Sequence, residues 1–285
     1  MTRYQGGKAR IGKEIHDNII KLEKDLNIFE NEFDYFEPFI GMAGVMRHFG
    51  NDNETGVSTR KLYASDINKD VVLMWKALQK GWSPPSKCTE KMFLKLKYSK
   101  KHSAARGFVG NACSFGGMFF GSFAGNYTSD DVSFAEVAKR NIKKITPSME
   151  HVKFLNPSSY TIYSPKNMVI YCDPPYLHNN ISSKFFKNFN HDEFWDIMRE
   201  WSKNNVVIIS ERVAPKDFKP IWSKKYRTTT MNKNKIKNIV QISVDESSIY
   251  VVVNNRFCCS IDTNLYWVSA KKLTNNILLF NNAKK

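Results

Sequence analysis

Asp173-Pro174-Pro175-Tyr176 directly follows the apolar run Met168-Val169-Ile170-Tyr171-Cys172. Proline has no backbone donor and stiffens its turn. At the carboxyl edge of a sheet, the Asp173 and Pro174 carbonyls can therefore face outward as free acceptors. A carboxylate beside a fixed carbonyl is a pincer for an amino group that donates two hydrogens, and Tyr176 adds a ring face for a planar base. Taken alone, the same four residues also make a tight structural turn. A second group is Phe36-Glu37-Pro38-Phe39-Ile40-Gly41-Met42-Ala43-Gly44, where glycines after an apolar strand permit close backbone approach to a ligand. Asp66 follows at the end of the next strand, where an acid can grip the two hydroxyls of a ribose. Glu37 is an unwelcome neighbour for a pyrophosphate, and no Gly-Lys-Ser/Thr follows the loop. A positively charged nucleoside, such as a sulfonium cofactor, suits it better. The third group is the leader Arg3-Tyr4-Gln5-Gly6-Gly7-Lys8, whose continuity with a good helix suggests that it is folded.

The elements that must position these residues follow from periodicity. Ile11, Ile15, Ile19 and Leu22 share a helical face over 10–25. Asp34 to Ile40 reads as a buried strand, Val45, Met46 and Phe49 as a short helix, and Leu62 to Ser65 as a second strand. Asp66-Ile67-Asn68 then caps a helix carrying Val71, Val72, Trp75 and Leu78. Strand, glycine turn, helix, strand, acid is the beginning of an α/β domain with parallel strands. From Gly81-Trp82-Ser83-Pro84-Pro85 to about Ile162 that rhythm is lost. The segment is rich in glycine and aromatics from Gly107 to Tyr127, either a hairpin for a groove or a compact core, and helical again from Val132 to Ile145. The alternation resumes at Met168. Asn190 and Glu193 form a capping pair for a helix with Phe194, Ile197, Met198 and Trp201 on its face. Val206 to Ser210 is a strand, and 239–244 with 248–253 read as a terminal hairpin. The division is a catalytic α/β domain in two pieces, 1–82 and 162–270, an insertion over 83–161, and a tail over 271–285.

Charge is polarised along this division. Lys plus Arg is 43 and Asp plus Glu is 27, a formal net charge of +16. Residues 1–80 are balanced, and the whole excess lies beyond them. Arg212 to Lys237 is the densest basic patch, interrupted by Asp217 alone. A neutral part for a small molecule and later loops for a phosphate backbone fit that pattern. Lys95, Lys97, Lys100, Lys101 and Arg106 open the insertion and are candidates to grip a phosphate backbone or read bases. Arg212, Lys216, Lys219, Lys224, Lys225 and Arg227 read as a lysine-rich loop on phosphates. Five scattered cysteines argue against a secreted disulfide framework. The start has no apolar signal core, and no run is long enough to cross a bilayer. The expectation is a soluble cytoplasmic protein, or one in a host's cytoplasm if it is encoded by a virus or phage.

Taken in order, these pieces resemble the DNA adenine-N6 methyltransferases of the Dam-like, or D12, class. The resemblance runs through Tyr4-Gln5-Gly6-Gly7-Lys8, the Phe36–Gly44 loop, Ala64-Ser65-Asp66-Ile67-Asn68, Tyr171-Cys172-Asp173-Pro174-Pro175-Tyr176 and the late Glu246-Ser247-Ser248-Ile249-Tyr250. It implies a Rossmann-like, S-adenosylmethionine-dependent methyltransferase sheet with an inserted target-recognition domain. S-adenosylmethionine would sit on Tyr4, Gly7, Lys8, Glu37, Pro38, Phe39, Gly41, Gly44, Asp66, Ile67 and Asp173, and S-adenosylhomocysteine would be the product. Asp173, Pro174 and Tyr176 would carry catalysis on an adenine flipped from duplex DNA. Both amino hydrogens would bond to Asp173 and the Pro174 carbonyl, exposing the nitrogen lone pair for direct in-line transfer, with no metal. Gly44 stands where some relatives carry serine, and the insertion does not follow Dam closely enough to transfer its GATC specificity. A restriction endonuclease would be a fitting partner, and the oligomeric state is not legible.

Other chemistry fits less well. None of the six histidines pairs with cysteines at a zinc spacing, His191 reads as part of a helical turn, and His178 is close enough to the Asp-Pro-Pro-Tyr string to touch DNA. No Pro-Cys dipeptide exists for a cytosine-C5 nucleophile. Asp66, Asp70 and Asp173 as nuclease metal ligands would leave the glycine loop unexplained. Three alternatives stay open: a cytosine-N4 acceptor, an RNA base, and a non-catalytic DNA-binding accessory subunit.

Overall fold

A computed structural model describes residues 4, 6–28, 32–125, 133–177, 189–231 and 240–252, with 225–252 described by backbone alone. His178, Cys258, Cys259, the tail beyond Lys271 and the side chains of Lys225, Arg227 and Glu246 to Tyr250 lie outside the described residues.

The chain opens with α1 (Gly12–Asp25), whose Ile15, Ile19 and Leu22 are fully buried. β1 (Asp34–Glu37) stops at Pro38, which has no N–H to continue a ladder. After α2 (Met46–Glu54) comes β2 (Leu62–Ala64), then α3 (Lys69–Gln79). Asn68 caps α3 by accepting from the Asp70 amide, as expected of a short polar side chain at that position. Three helices follow, α4 (Glu90–Tyr98), α5 (Ala104–Ala112) and α6 (Phe134–Ile145), each started by a Ser or Thr cap. β3 (Val152–Phe154), β4 (Met168–Cys172), α7 (His191–Ser202), β5 (Val206–Glu211), β6 (Phe218–Met231) and β7 (Val240–Val252) complete the order.

These strands form one sheet in the order β3-β2-β1-β4-β5-β7-β6. β1 to β5 are parallel, and β7 runs antiparallel to both β5 and β6. This is a Rossmann-like α/β fold, as the residue pattern implies. Strand alternation divides the core: Tyr35, Val169, Tyr171, Val206 and Ile208 face the layer of α1 to α6, whereas Phe36, Ile170, Cys172, Val207 and Ile209 face α7. A sheet covered on both faces needs continuous apolar strands, which explains the unbroken runs in β4 and β5.

Three expectations are corrected or decided by this architecture. The sheet is rejoined before Met168: β3 lies inside 83–161 and pairs in parallel with β2 at its edge. Three residues, with Lys153 exposed between Val152 and Phe154, give too short an alternation to see. The lysine-rich stretch after Phe218 is not a loop but the edge strand β6. It is the hairpin partner of a single long β7, with a register shift at Pro220–Trp222 where the proline interrupts pairing. The glycine-aromatic segment packs into the main core, in one cluster with residues of α1 to α3 and of the central strands, instead of forming a core of its own. A Cβ at Gly107 would lie 2.1 Å from the Asp70 carbonyl oxygen, so α5 rests directly on α3, and Phe108, Val109 and Phe120 are buried around it. Among the described residues, no helix is long and apolar enough to cross a membrane.

Candidate active site

β1 and β4 are neighbours at the centre of the sheet, with β2 and β3 wound to one side and β5 to the other. That reversal opens a crevice at the carboxyl ends of β1 and β4, where ligands of open α/β sheets bind. The glycine loop leaves β1 there, and Asp173 leaves β4.

The glycine loop is pinned from both sides. The Gly41 amide donates to Asp66 Oδ2 at 2.9 Å, and the Trp75 indole donates to the Gly41 carbonyl at 2.9 Å. Asp66 Oδ1 accepts from the Asn68 amide at 2.8 Å. Gly41 has φ +45, in the left-handed region that suits glycine. Burial pushes the Asp66 carboxyl up to about 6 despite the two amides that favour its anion. Each of its oxygens keeps a second lone pair, so the residue can still accept from a diol. Ile67 beside it is 47% exposed, an apolar surface left open at the crevice.

Of the leader, Tyr4 and Gly6 to Lys8 are described, and they lie on this loop. A Cβ at Gly41 would come within 2.8 Å of Tyr4 Cε1, and one at Gly44 within 3.0 Å of the Lys8 carbonyl carbon. Gly7 donates to the Tyr4 carbonyl at 3.1 Å, closing the turn that turns Lys8 inward. The missing side chain of Gly44 is thus what lets the leader sit so close.

Lys8 is 6% exposed and bridges the two halves of the site. Its Nζ donates to Asp173 Oδ1 at 2.5 Å and to the Gly6 carbonyl at 3.1 Å, and it lies 4.6 Å from the Tyr176 ring centroid. Burial pulls the ammonium pKa down, but the Asp173 carboxylate and Tyr176 together outweigh it and hold it above the ordinary lysine value. On the partner, burial raises the Asp173 carboxyl while Lys8 pulls it back. Glu37 is buried, and its pKa is pushed well above the usual range, first by burial; the Tyr35 hydroxyl donates to it at 2.8 Å. Pro38 is buried, and Phe39 packs on Tyr160, Phe189 and Phe194.

The structure thus brings Tyr4, Gly7, Lys8, Gly41, Gly44, Asp66, Asp173 and Tyr176 to one crevice. It also places there a residue that sequence reasoning misses, Glu211, the last of β5, which is 1% exposed. Its carboxylate accepts from the Arg212 amide at 2.7 Å and from the Leu177 amide at 3.1 Å, and burial pushes its pKa up to about 7. The sequence does hold a signal for it. Glu37, Asp66 and Asp173 each sit at or just past the carboxyl end of a parallel strand, and Glu211 repeats the pattern.

The basic candidates divide. Lys95, Lys100, Lys101 and Lys216 are exposed, while Lys97 is half-buried and donates to the Gly121 carbonyl at 3.1 Å. Arg212 sets its guanidinium 5.9 Å from the Tyr176 ring, and Lys219 is half-buried. Lys224 pairs with Glu14 of α1. Arg106 is a correction. It is 4% exposed, bonded to Asp70 Oδ2 at 3.0 Å and to the carbonyls of Leu96, Lys97 and Ser99, so it holds α4 to α3 and presents nothing to a ligand.

Among known proteins, the family model described as D12 class N6 adenine-specific DNA methyltransferase matches residues 4–112. The matched span holds the leader, the glycine loop, Asp66 and helices α3 to α5. Compared with curated proteins, the chain has no significant match. The family match supports an enzyme that transfers methyl groups to adenine N6 in DNA with S-adenosylmethionine.

Proposed function

We propose that this chain, whose N-terminal region matches the D12 class of N6 adenine-specific DNA methyltransferases, methylates a base flipped out of duplex DNA into the crevice between β1 and β4. One observation carries the proposal: Lys8 and Asp173 form an ion pair between the glycine-loop half and the Asp-Pro-Pro-Tyr half. S-adenosylmethionine, when bound, supplies an activated sulfonium methyl group. Asp66 and Ile67 would hold its nucleoside end, with Gly41 and Gly44 giving backbone-close room. Tyr4 would lie against the same loop.

Asp173 and the Pro174 carbonyl would then accept the two amino hydrogens of the target. Such bonds strengthen as the nitrogen turns pyramidal, which is differential stabilisation of the transition state. Tyr176 would stack on the base. In the free protein Lys8 occupies Asp173 Oδ1 and lies over the Tyr176 ring, so the arriving base would take both places from it. Of residues 83–161, those before β3 are assigned to target recognition, and β3 with the two flanking pieces to catalysis. Lys95, Lys100, Lys101 and Lys216 are assigned to phosphates, and the location to the cytoplasm.

The test is methyl transfer from labelled S-adenosylmethionine to unmethylated duplex DNA, with product nucleosides separated. Label in N6-methyladenine is the expected result. Label in N4-methylcytosine would move the acceptor, label in RNA alone would move the substrate, and no cofactor binding would leave a DNA-binding subunit. Gly41→Ala is expected to weaken cofactor binding by about tenfold or more. A left-handed φ costs a non-glycine residue roughly 1–2 kcal/mol, and the new methyl would also displace Tyr4. Calorimetric titration reads this directly, and unchanged affinity would take the loop out of the cofactor site.

A further inference from the structure

We propose that Glu211 is a positioning residue for the catalytic loop, an acceptor-only latch that holds Leu177 and Arg212 on either side of Tyr176. The geometry is specific. Glu211 ends β5, the strand next to β4, and is buried. One carboxylate oxygen takes the Arg212 amide at 2.7 Å and the other takes the Leu177 amide at 3.1 Å. Leu177 is the residue directly after Tyr176. The latch therefore ties the exit of the Asp-Pro-Pro-Tyr turn to the end of a strand whose Val206 to Ile209 are all buried.

This tie is needed because the turn itself has few backbone donors. Pro174 and Pro175 contribute none, so little in the turn can bond back to the sheet. Leu177 is the first residue after the turn whose amide is anchored by a carboxylate. The same group fixes the backbone of Arg212, whose guanidinium lies 5.9 Å from the Tyr176 ring. Tyr176 is thus framed by two segments with a common anchor. Strand β4 is held independently: the Tyr171 hydroxyl and Ser210 Oγ are 2.7 Å apart, and β4 pairs with β5 through Cys172 and Ile209. Loss of the latch should free the loop without loosening the strand.

Only a carboxylate satisfies two N–H donors with two oxygens. Glutamine keeps one acceptor and turns a donor NH2 toward the second amide. Glu211→Gln is therefore a near-isosteric break, and Glu211→Asp keeps the charge while shortening the reach. The contribution to chemistry rests on the methyltransferase proposal; the latch itself does not, and the test separates the two.

Amide hydrogen exchange is measured on the full-length protein at pH 8 for peptides covering 168–172, 173–177 and 206–210. Single-turnover methyl transfer and S-adenosylmethionine affinity are measured on the same variants. For Glu211→Gln, exchange at Leu177 is expected to rise about tenfold or more, the scale of one lost charge-assisted hydrogen bond, with both strands still protected. The transfer rate should fall by a similar factor and cofactor affinity should stay within about twofold. Glu211→Asp should show the same pattern confined to Leu177. Unchanged exchange at Leu177 in both variants would overturn the latch. Exchange rising together across both strands in both variants would also overturn it, making Glu211 a residue of the fold alone. Faster exchange at Leu177 with an unchanged transfer rate would overturn the positioning role. Absence of transfer in the unaltered protein, with the exchange result intact, would count against the methyltransferase proposal and not the latch.

Discussion

Asp173→Asn is expected to lower the single-turnover rate of methyl transfer by about a hundredfold or more while S-adenosylmethionine affinity changes by no more than about twofold. Losing one hydrogen-bonding group that acts on the developing charge of a transition state typically costs about 10²–10³ in rate. Asparagine is the informative substitution because Lys8 is buried against Asp173. Its amide oxygen can still accept from Nζ, so the ammonium is not stranded. Alanine would leave that ammonium bare, and breaking a buried pair from one side costs about 3–5 kcal/mol of stability, which would confuse fold with chemistry. Rapid-quench single turnover and calorimetric titration separate the outcomes. A rate unchanged within about threefold would remove Asp173 from the reacting centre. Rate and cofactor affinity falling together would place it on the cofactor and not on the target amino group.

The parts of the site carried by unusual covalent chemistry are legible in the amino-acid sequence alone. Prolines without donors, glycines in a loop after an apolar strand, and an acid after the next strand each restrict what the backbone can do, and each lies where that restriction implies. Asn68 capping α3 and Asn190 capping α7 are of the same kind, since a cap is local. What is not legible depends on distant partners. Lys8 meets Asp173 across 165 positions, and Arg106 meets Asp70 across 36, so neither pairing can be read from spacing. β6 is hidden for a different reason. Lys219, Lys224, Lys225 and Arg227 give it the composition of a basic loop, and Pro220 reads as a breaker, yet an edge strand tolerates both. Glu211 is masked by its place between an obvious strand and an obvious basic patch.

Arg106→Ala and Lys100→Ala/Lys101→Ala are expected to differ in kind, although all three residues are basic and lie within seven positions. Arg106 is buried, and its guanidinium neutralises Asp70, which also accepts from the Ser103 amide at 2.8 Å and from His102 Nδ1 at 3.1 Å. The same guanidinium takes the carbonyls at the end of α4 and lies 5.0 Å from the Phe120 ring. Removing it leaves a buried carboxylate and several carbonyls uncompensated. The expected loss is about 3–5 kcal/mol of folding stability, read as a shift of the denaturant midpoint at unchanged slope. Arg106→Lys should recover little of this, since an ammonium cannot reach Asp70 and the α4 carbonyls in one planar fork. Lys100 and Lys101 project from the α4–α5 turn into solvent, so their removal should leave stability within roughly 0.5 kcal/mol. It should instead weaken DNA binding and reduce the slope of log affinity against log salt by about 0.9 for each phosphate that is no longer neutralised. A double variant with unaltered DNA affinity and slope would move the phosphate-binding surface off this turn. An Arg106→Ala protein that kept its stability but no longer bound DNA in a salt-dependent way would restore Arg106 to the nucleic-acid surface from which its burial removes it.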